Sequence, residues 1–337
     1  MLAAVFTAGV AQAWDYSGHR MVNQAALASL PADFPAWVKT AANAERVAFL
    51  AGEADRWRNT RIEPLAQYNG MDHYLDIDQL TDAGIDPGTV TDFRYDFAVQ
   101  FAAGRAAHPA KFSVVDPAQN HDHTREWPGF LPWAIEEYYA KLQSAFSYLK
   151  AFEAEGHPDE IENARANVIY LMGVMGHYVG DGAQPLHATI HHHGWVGDNP
   201  RHYSTDTKIH ALIDGSFIAF AAITPEEVVL LIKPAEPLLT AVRPDGRNPV
   251  FVATMDYLLE SQRRVEPLYQ LEQKGAFALH GTASAEGRQF IQRQIARGGE
   301  MLGAIWLTAW RQSAPDRYLT ASLLKRKSAE GAASLAK

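Results

Sequence analysis

Apolar residues recur along this chain at three- and four-residue steps, and no sustained two-residue alternation bounded by turn signals interrupts them. A repeat of about 3.6 residues buries one stripe of a helix, whereas a half-buried strand needs a repeat of two, so the pattern predicts an all-α protein. Helices are expected over 18–30, 44–58, 92–105, 131–155, 159–183, 203–221, 249–273 and 283–313. Pro and Gly punctuate the intervals, at Pro87-Gly88, Pro128-Gly129, Pro185, Pro200, Pro234, Pro237, Pro244 and Pro249. With 337 residues, 47% of them hydrophobic and no internal repeat, the chain has enough apolar surface to close a sizeable core. The expected organisation is one multi-helix domain over 14–325. An insertion at 79–130, rich in Pro, Gly, Asp and His, carries one helix, and 326–337 forms a frayed, flexible tail.

Residues 1–13, MLAAVFTAGVAQA, are apolar and end in the small-x-small pattern of a signal-peptidase site, although a basic n-region is missing. They read as the remnant of a signal peptide, which places the protein outside the cytoplasm, secreted or periplasmic, with Trp14 as its mature N-terminus. Neither this segment nor MLGAIWLTAW at 301–310 is long enough to span a bilayer. The formal net charge of -9 argues against wholesale capture of duplex nucleic acid, which needs a basic surface, although bound cations would lift that objection locally. Cysteine is absent, so there is no disulfide framework and no thiolate metal site. Any metal must be held by imidazole, carboxylate or backbone groups, and the chain has 14 histidines.

The strongest chemical signal is GHYVGDGAQPLH, followed by KIHALID. His177 and Asp181 stand four apart on a helical pattern, so their side chains share one face, and His210 and Asp214 repeat that spacing on the next helix. His187 follows Pro185, where the chain leaves the first helix and can turn back toward its end. Five imidazole and carboxylate groups in this pattern suit zinc. The blander account of either pair is a surface contact worth about 0.2–0.5 kcal/mol. Two pairs on otherwise apolar helices, however, would bury carboxylates, which is costly unless a cation accompanies them. Upstream, FLAGEADRWR sets Asp55 and Arg58 one turn apart, and NGMDHYLDID places His73 beside aromatic and acidic residues. An Asp55–Arg58 pair alone is equally well a surface salt bridge of roughly 0–1 kcal/mol.

Together Trp14, His19, Asp55 with Arg58, His73 in HYLD, His177, Asp181, His187 in QPLH, His210 and Asp214 resemble, in order, the pattern of the zinc-dependent S1/P1 nucleases and their relatives, the bacterial zinc phospholipases C. The resemblance runs from residue 14 to about 220. It implies an all-α phospholipase C/P1 nuclease-like fold with long loops, and a cluster of three zinc ions that activates a bridging water. Asp55, His73, His177 and Asp181 would hold the first ion. Asp181 would bridge to a second, held by Trp14 and His19, and His187, His210 and Asp214 would hold the third. Trp14 would act through its α-amine and carbonyl, so the uncleaved precursor should lack one complete site. In a phosphodiester hydrolase of this kind Arg58 would stabilise charge on the expanding phosphoryl centre, and Asp55 would orient the water as well as bind metal.

This sequence departs from the fungal and plant nucleases in lacking their cysteines, which points to a bacterial member. Its 73-to-177 interval is longer, and HHHGWVGDNP replaces the usual Gly-Gly-Asn loop. His191, His192 and His193 are either extra ligands or, as preferred here, a loop beside the site. The interval between His187 and His210, and Asp in place of Glu at 214, resemble the nuclease branch. The expected partner is accordingly single-stranded DNA or RNA, or a nucleotide, acted on by a monomer. Tyr74, Trp195 and Tyr203 are candidates for stacking unpaired bases, with Tyr178 assigned to the core. The alternative is a phospholipase C, for which WPGFLPW at 127–133 would supply an apolar rim or else simply pack a helix start. A reading from another class is a non-catalytic secreted zinc-binding helical protein.

Overall fold

The computed structural model describes residues 14–335; the expected signal-peptide remnant at 1–13 and the last two residues lie outside the described residues. Among the described residues the regular structure is helical and contains no β-strand. The first helix, α1 (Tyr16–Ser29), is capped by Asp15, whose carboxylate accepts from the Ser17 and Gly18 amides. Then come α2 (Ala41–Leu50), α3 (Glu53–Arg58), α4 (Glu63–Gly70), α5 (Ile77–Asp82) and α6 (Arg94–Ala107). The long pair α7 (Leu131–Glu155) and α8 (Pro158–Ala183) forms the middle of the molecule. A short α9 (Ile209–Ala211) runs through a π turn (Leu212–Ser216) into α10 (Phe217–Phe220). The remaining helices are α11 (Pro225–Val229), α12 (Pro249–Gln262), α13 (Val265–Gln273), α14 (Ala285–Gln312) and α15 (Arg317–Leu335).

Helix α8 is buried on every side from Met172 to Ala183, with α1, α2, α3, α7, α12 and α14 packed around it. A helix buried all round must be apolar all round, yet this stretch contains His177 and Asp181, both 0% exposed. Small residues make the close approach possible. A Cβ on Gly176 would lie 1.6 Å from Asn23 Oδ1, and one on Gly180 would lie 2.9 Å from His19 Nδ1. The Asn23 amide cannot swing away, because it donates to the Val47 and Gly173 carbonyls and so ties α1 to α2 and α8. Gly176→Ala is therefore expected to destabilise the protein by about 1–3 kcal/mol through overpacking, measurable as a lowered urea midpoint at unchanged m-value.

Several boundaries differ from the sequence reading. The helix expected over 44–58 breaks at Ala51-Gly52, where the Tyr16 ring packs so close to Gly52 that a Cβ there would meet it at 2.8 Å. The helix expected over 203–221 begins only at Ile209, because Asn199 binds both the amide and the carbonyl of Tyr203 and holds 199–203 in a closed loop. The helix expected over 249–273 divides between Gln262 and Val265. In the 79–130 insertion α6 is the main helix, with α5 overlapping its start and several single turns beside it. In the described part of the expected tail at 326–337, α15 continues to Leu335, with Arg326 paired with Glu160 and Lys327 with Glu155. The segment 127–133 does not form an exposed rim. Phe130, Leu131 and Trp133 are buried, Gly129 takes φ +94° beneath the Tyr74 carbonyl, and Trp133 stacks on Phe97 at 4.1 Å.

Candidate metal centre

Three buried groups of side chains converge beneath α1, α8 and the π turn, each able to hold a metal ion: His19, His177 and Asp181; Asp55, His73 and His177; and His187, His210 and Asp214. Asp181 stands where the first two groups meet. Its Oδ2 is 3.0 Å from His73 Nδ1 and 3.4 Å from His177 Nε2, while its Oδ1 is 3.4 Å from His19 Nε2 and 3.7 Å from His187 Nδ1. His177 Nε2 also lies 3.8 Å from Asp55 Oδ1 and 3.0 Å from His73 Nδ1. In the third group His210 Nε2 is 3.0 Å from both His187 Nε2 and Asp214 Oδ2. Donors around a tetrahedral ion with bonds of about 2.0–2.1 Å stand about 3.3 Å apart, so these spacings fit a small divalent cation.

Hydrogen bonding fixes which atoms face inward. His177 Nδ1 donates to the Ala51 carbonyl at 2.7 Å, and His187 Nδ1 donates to the His73 carbonyl at 2.6 Å. In the neutral rings both Nε2 atoms are then bare lone pairs, the arrangement of a metal-ligating histidine with a carbonyl behind it. The helix break at Ala51-Gly52 is what frees the Ala51 carbonyl for this bond. A return bond from the Leu75 amide to the His187 carbonyl, 2.9 Å, docks the 73–75 segment against the end of α8. The π turn keeps His210 and Asp214 on one side, and the Asp15 amide donates to the Asp214 carbonyl, joining the start of α1 to that turn.

The electrostatics is compatible with a bound cation. Burial lowers the pKa of His19, His73, His187 and His210 well below the usual imidazole range, and lowers that of His177 against the opposing pull of Asp55. Neutral imidazole is the metal-binding form. The same burial pushes the Asp181 and Asp214 carboxyls well above the ordinary range, which expresses the cost of an anion there without a counter-charge. Both ring nitrogens of His19, together with Asp181 Oδ1 and Asp214 Oδ2, are buried without a hydrogen-bond partner. Such atoms are expensive unless something coordinates them. Arg58, 2.9 Å from Asp55 through Nε, adds a permanent positive charge that reaches Asp181 and Asp214.

The structure thus gathers His19, Asp55, His73, His177, Asp181, His187, His210 and Asp214, with Arg58 against them. Trp14 is fully buried next to the group, and its indole N–H donates to the Gly180 carbonyl at 2.9 Å, so the indole anchors the residue. Two of the proposed base-stacking residues are committed elsewhere. Tyr203 is 3% exposed and packs on Trp195 and Tyr269, so it belongs to the core. One face of Trp195 is covered by His191, stacked at 3.9 Å and 7°, and its indole N–H donates to the Asp198 carbonyl. Tyr74 remains half-buried at the edge of the centre, and Tyr178 is core, as expected.

Sequence reasoning missed Gln184, whose side-chain amide donates to Asp214 Oδ1 while its oxygen accepts from the Leu186 amide. Its position at the polar end of an apolar helix, directly before Pro185, was the available signal. No family model matches the chain, and no curated protein or solved structure shows significant similarity to it.

Proposed function

We propose that this protein is a zinc-dependent phosphodiester hydrolase holding three zinc ions, and specifically a nuclease of the S1/P1 type acting on single-stranded nucleic acid. The observation that carries the reading is Asp181, fully buried, with its two oxygens directed at different histidine groups. A carboxylate placed between two donor sets is the expected feature of ions lying close together. Asp55, His73, His177 and Asp181 would hold one ion, Trp14, His19 and Asp181 the second, and His187, His210 and Asp214 the third. Bound ions of this kind supply Lewis acidity toward phosphoryl oxygens and lower the pKa of water at neutral pH.

The chain's own residues do the positioning. The Ala51 and His73 carbonyls fix the tautomers of His177 and His187. Gln184 holds Asp214, and Asp55 holds Arg58 where its guanidinium can stabilise negative charge gathering on the substrate. Burial of Phe130, Leu131 and Trp133 takes away the one segment put forward as an apolar rim for lipid cleavage, which supports the nuclease reading.

The test is hydrolysis of heat-denatured DNA by protein beginning at Trp14, in zinc, after chelation and after zinc is restored. Activity that disappears and returns is the expected result. A zinc-loaded preparation with no turnover of DNA overturns the nuclease reading, and release of phosphocholine from phosphatidylcholine by that same preparation would move the assignment to a phospholipase C.

A further inference from the structure

The loop beyond His187 carries three consecutive histidines, His191, His192 and His193, none of which belongs to the three donor groups. His191 is spent on the loop itself, stacked on Trp195 and accepting from the Val196 amide at 3.0 Å. His192 stands beside the third group: its ring centre lies 6.2 Å from that of His210, against 4.9 Å between His187 and His210 within the group. That spacing sets it one step outside the donors.

A carboxylate lies behind His192. Its Nδ1 is 3.0 Å from the Thr189 carbonyl and 3.7 Å from Asp76 Oδ1. Both partners only accept, so Nδ1 carries a hydrogen and the Nε2 edge of the ring is turned the other way. The Asp76 side chain is 6% exposed and that of His192 36%, so the carboxylate is sealed in while the imidazole opens outward. Asp76 Oδ1 is buried without a hydrogen-bond partner, which leaves it for the imidazole. Its other oxygen accepts from Gln79 at 2.9 Å, and the Asp76 amide donates to the Pro128 carbonyl. The loop is pinned on the N-terminal side of His192 as well: Asp78 accepts from the Thr189 hydroxyl and the Ile190 amide, and the Tyr269 hydroxyl donates to the His191 carbonyl.

In the hydrolysis proposed above, the departing alkoxide is a poor leaving group until it gains a proton, and Arg58 cannot supply one because a guanidinium stays charged. We infer that His192 is the general acid of that reaction and that Asp76 is its positioning residue. As the oxygen of water bonds to phosphorus, the bond from phosphorus to the bridging oxygen breaks and its electron pair stays on that oxygen, which takes the proton from His192 Nε2. The proton shed by the attacking water restores the imidazolium, and no further reactant is needed. A buried carboxylate behind an imidazole fixes its tautomer and supports the charged form. This inference rests on the phosphodiester-hydrolase reading of the neighbouring centre.

The test compares zinc-loaded wild type, His192→Gln and Asp76→Asn on two single-stranded oligonucleotides. One is natural, and the other carries sulfur in place of the bridging oxygen that product analysis shows to depart, because a thiolate leaves without a proton. On the natural strand His192→Gln is expected to lose about 100-fold in kcat and Asp76→Asn about tenfold, with the loss in kcat and not in KM. On the sulfur strand the His192→Gln loss should shrink to about threefold. Both strands meet the same preparation, so an inactive fraction lowers both rates alike and does not imitate the rescue. Equal losses on the two strands overturn the general acid and leave the hydrolase reading standing. Loss of bound metal in His192→Gln also overturns it, by making that imidazole a ligand. A zinc-loaded wild type that cleaves neither strand refutes the hydrolase reading, and this inference with it.

Discussion

On the hydrolase reading proposed above, replacing His177 with alanine is expected to reduce hydrolysis by more than 100-fold and to remove bound metal from two of the three groups at once. Outer-shell partners alone typically cost roughly 10–100-fold in metal affinity or activity, and His177 is an inner group whose Nε2 faces Asp55, His73 and Asp181 together. Its ring also stacks on His19 at 3.8 Å, so the truncation opens a gap on the α1 side as well. Metal content measured by elemental analysis should fall further than for His210→Ala, which touches one group only. Equal losses in the two variants would show that His177 is not shared.

On the same proposal, stripping metal from the loaded protein is expected to lower its unfolding free energy by about 3–5 kcal/mol, the range found when a buried charge loses its partner. Asp181, and Asp214 through the oxygen that Gln184 does not hold, would be left buried against imidazole nitrogens. The sign of the pH dependence follows from the raised pKa values of these carboxyls and the lowered ones of the histidines. In the metal-free folded state the carboxyls bind protons that the unfolded chain has already released, a contribution that falls as pH rises. The five buried histidines with lowered pKa values contribute the opposite sign until the unfolded imidazoles are neutral. Metal-free stability therefore falls with pH only above the ordinary imidazole range of about 6.5. Thermal denaturation with and without chelator should therefore show a gap in Tm that widens as pH rises above about 6.5 and closes when zinc is restored. A chelated protein as stable as the untreated one at every pH would mean that the groups are satisfied without a cation.

Much of this centre was legible because its spacing is local. An H-x-x-x-D pair on a helix shares a face whatever the rest of the molecule does, and that holds for His177 with Asp181 and for His210 with Asp214. The apolar period gave the helical class for the same reason. Other features lay beyond a local reading. Tyr203 has the composition of a stacking residue and a place near the site, yet Trp195, Tyr269 and the Asn199 loop bury it. The 326–337 segment reads as small and charged, and that its described part continues a helix paired with Glu155 of α7 and Glu160 of α8 depends on residues far away in the sequence.

The sequence by itself determined the donor types, their order and their pairing within helices, since covalent geometry carries that information over a few residues. Only the tertiary structure decided which carbonyl lies behind which imidazole and which oxygen of Asp181 faces which group. His177 meets Ala51 across 126 positions, His73 meets Asp181 across 108, and the break at Gly52 that frees the Ala51 carbonyl depends on a tyrosine from another helix. Contacts of that kind are set by packing, in which each residue's place depends on all its neighbours at once.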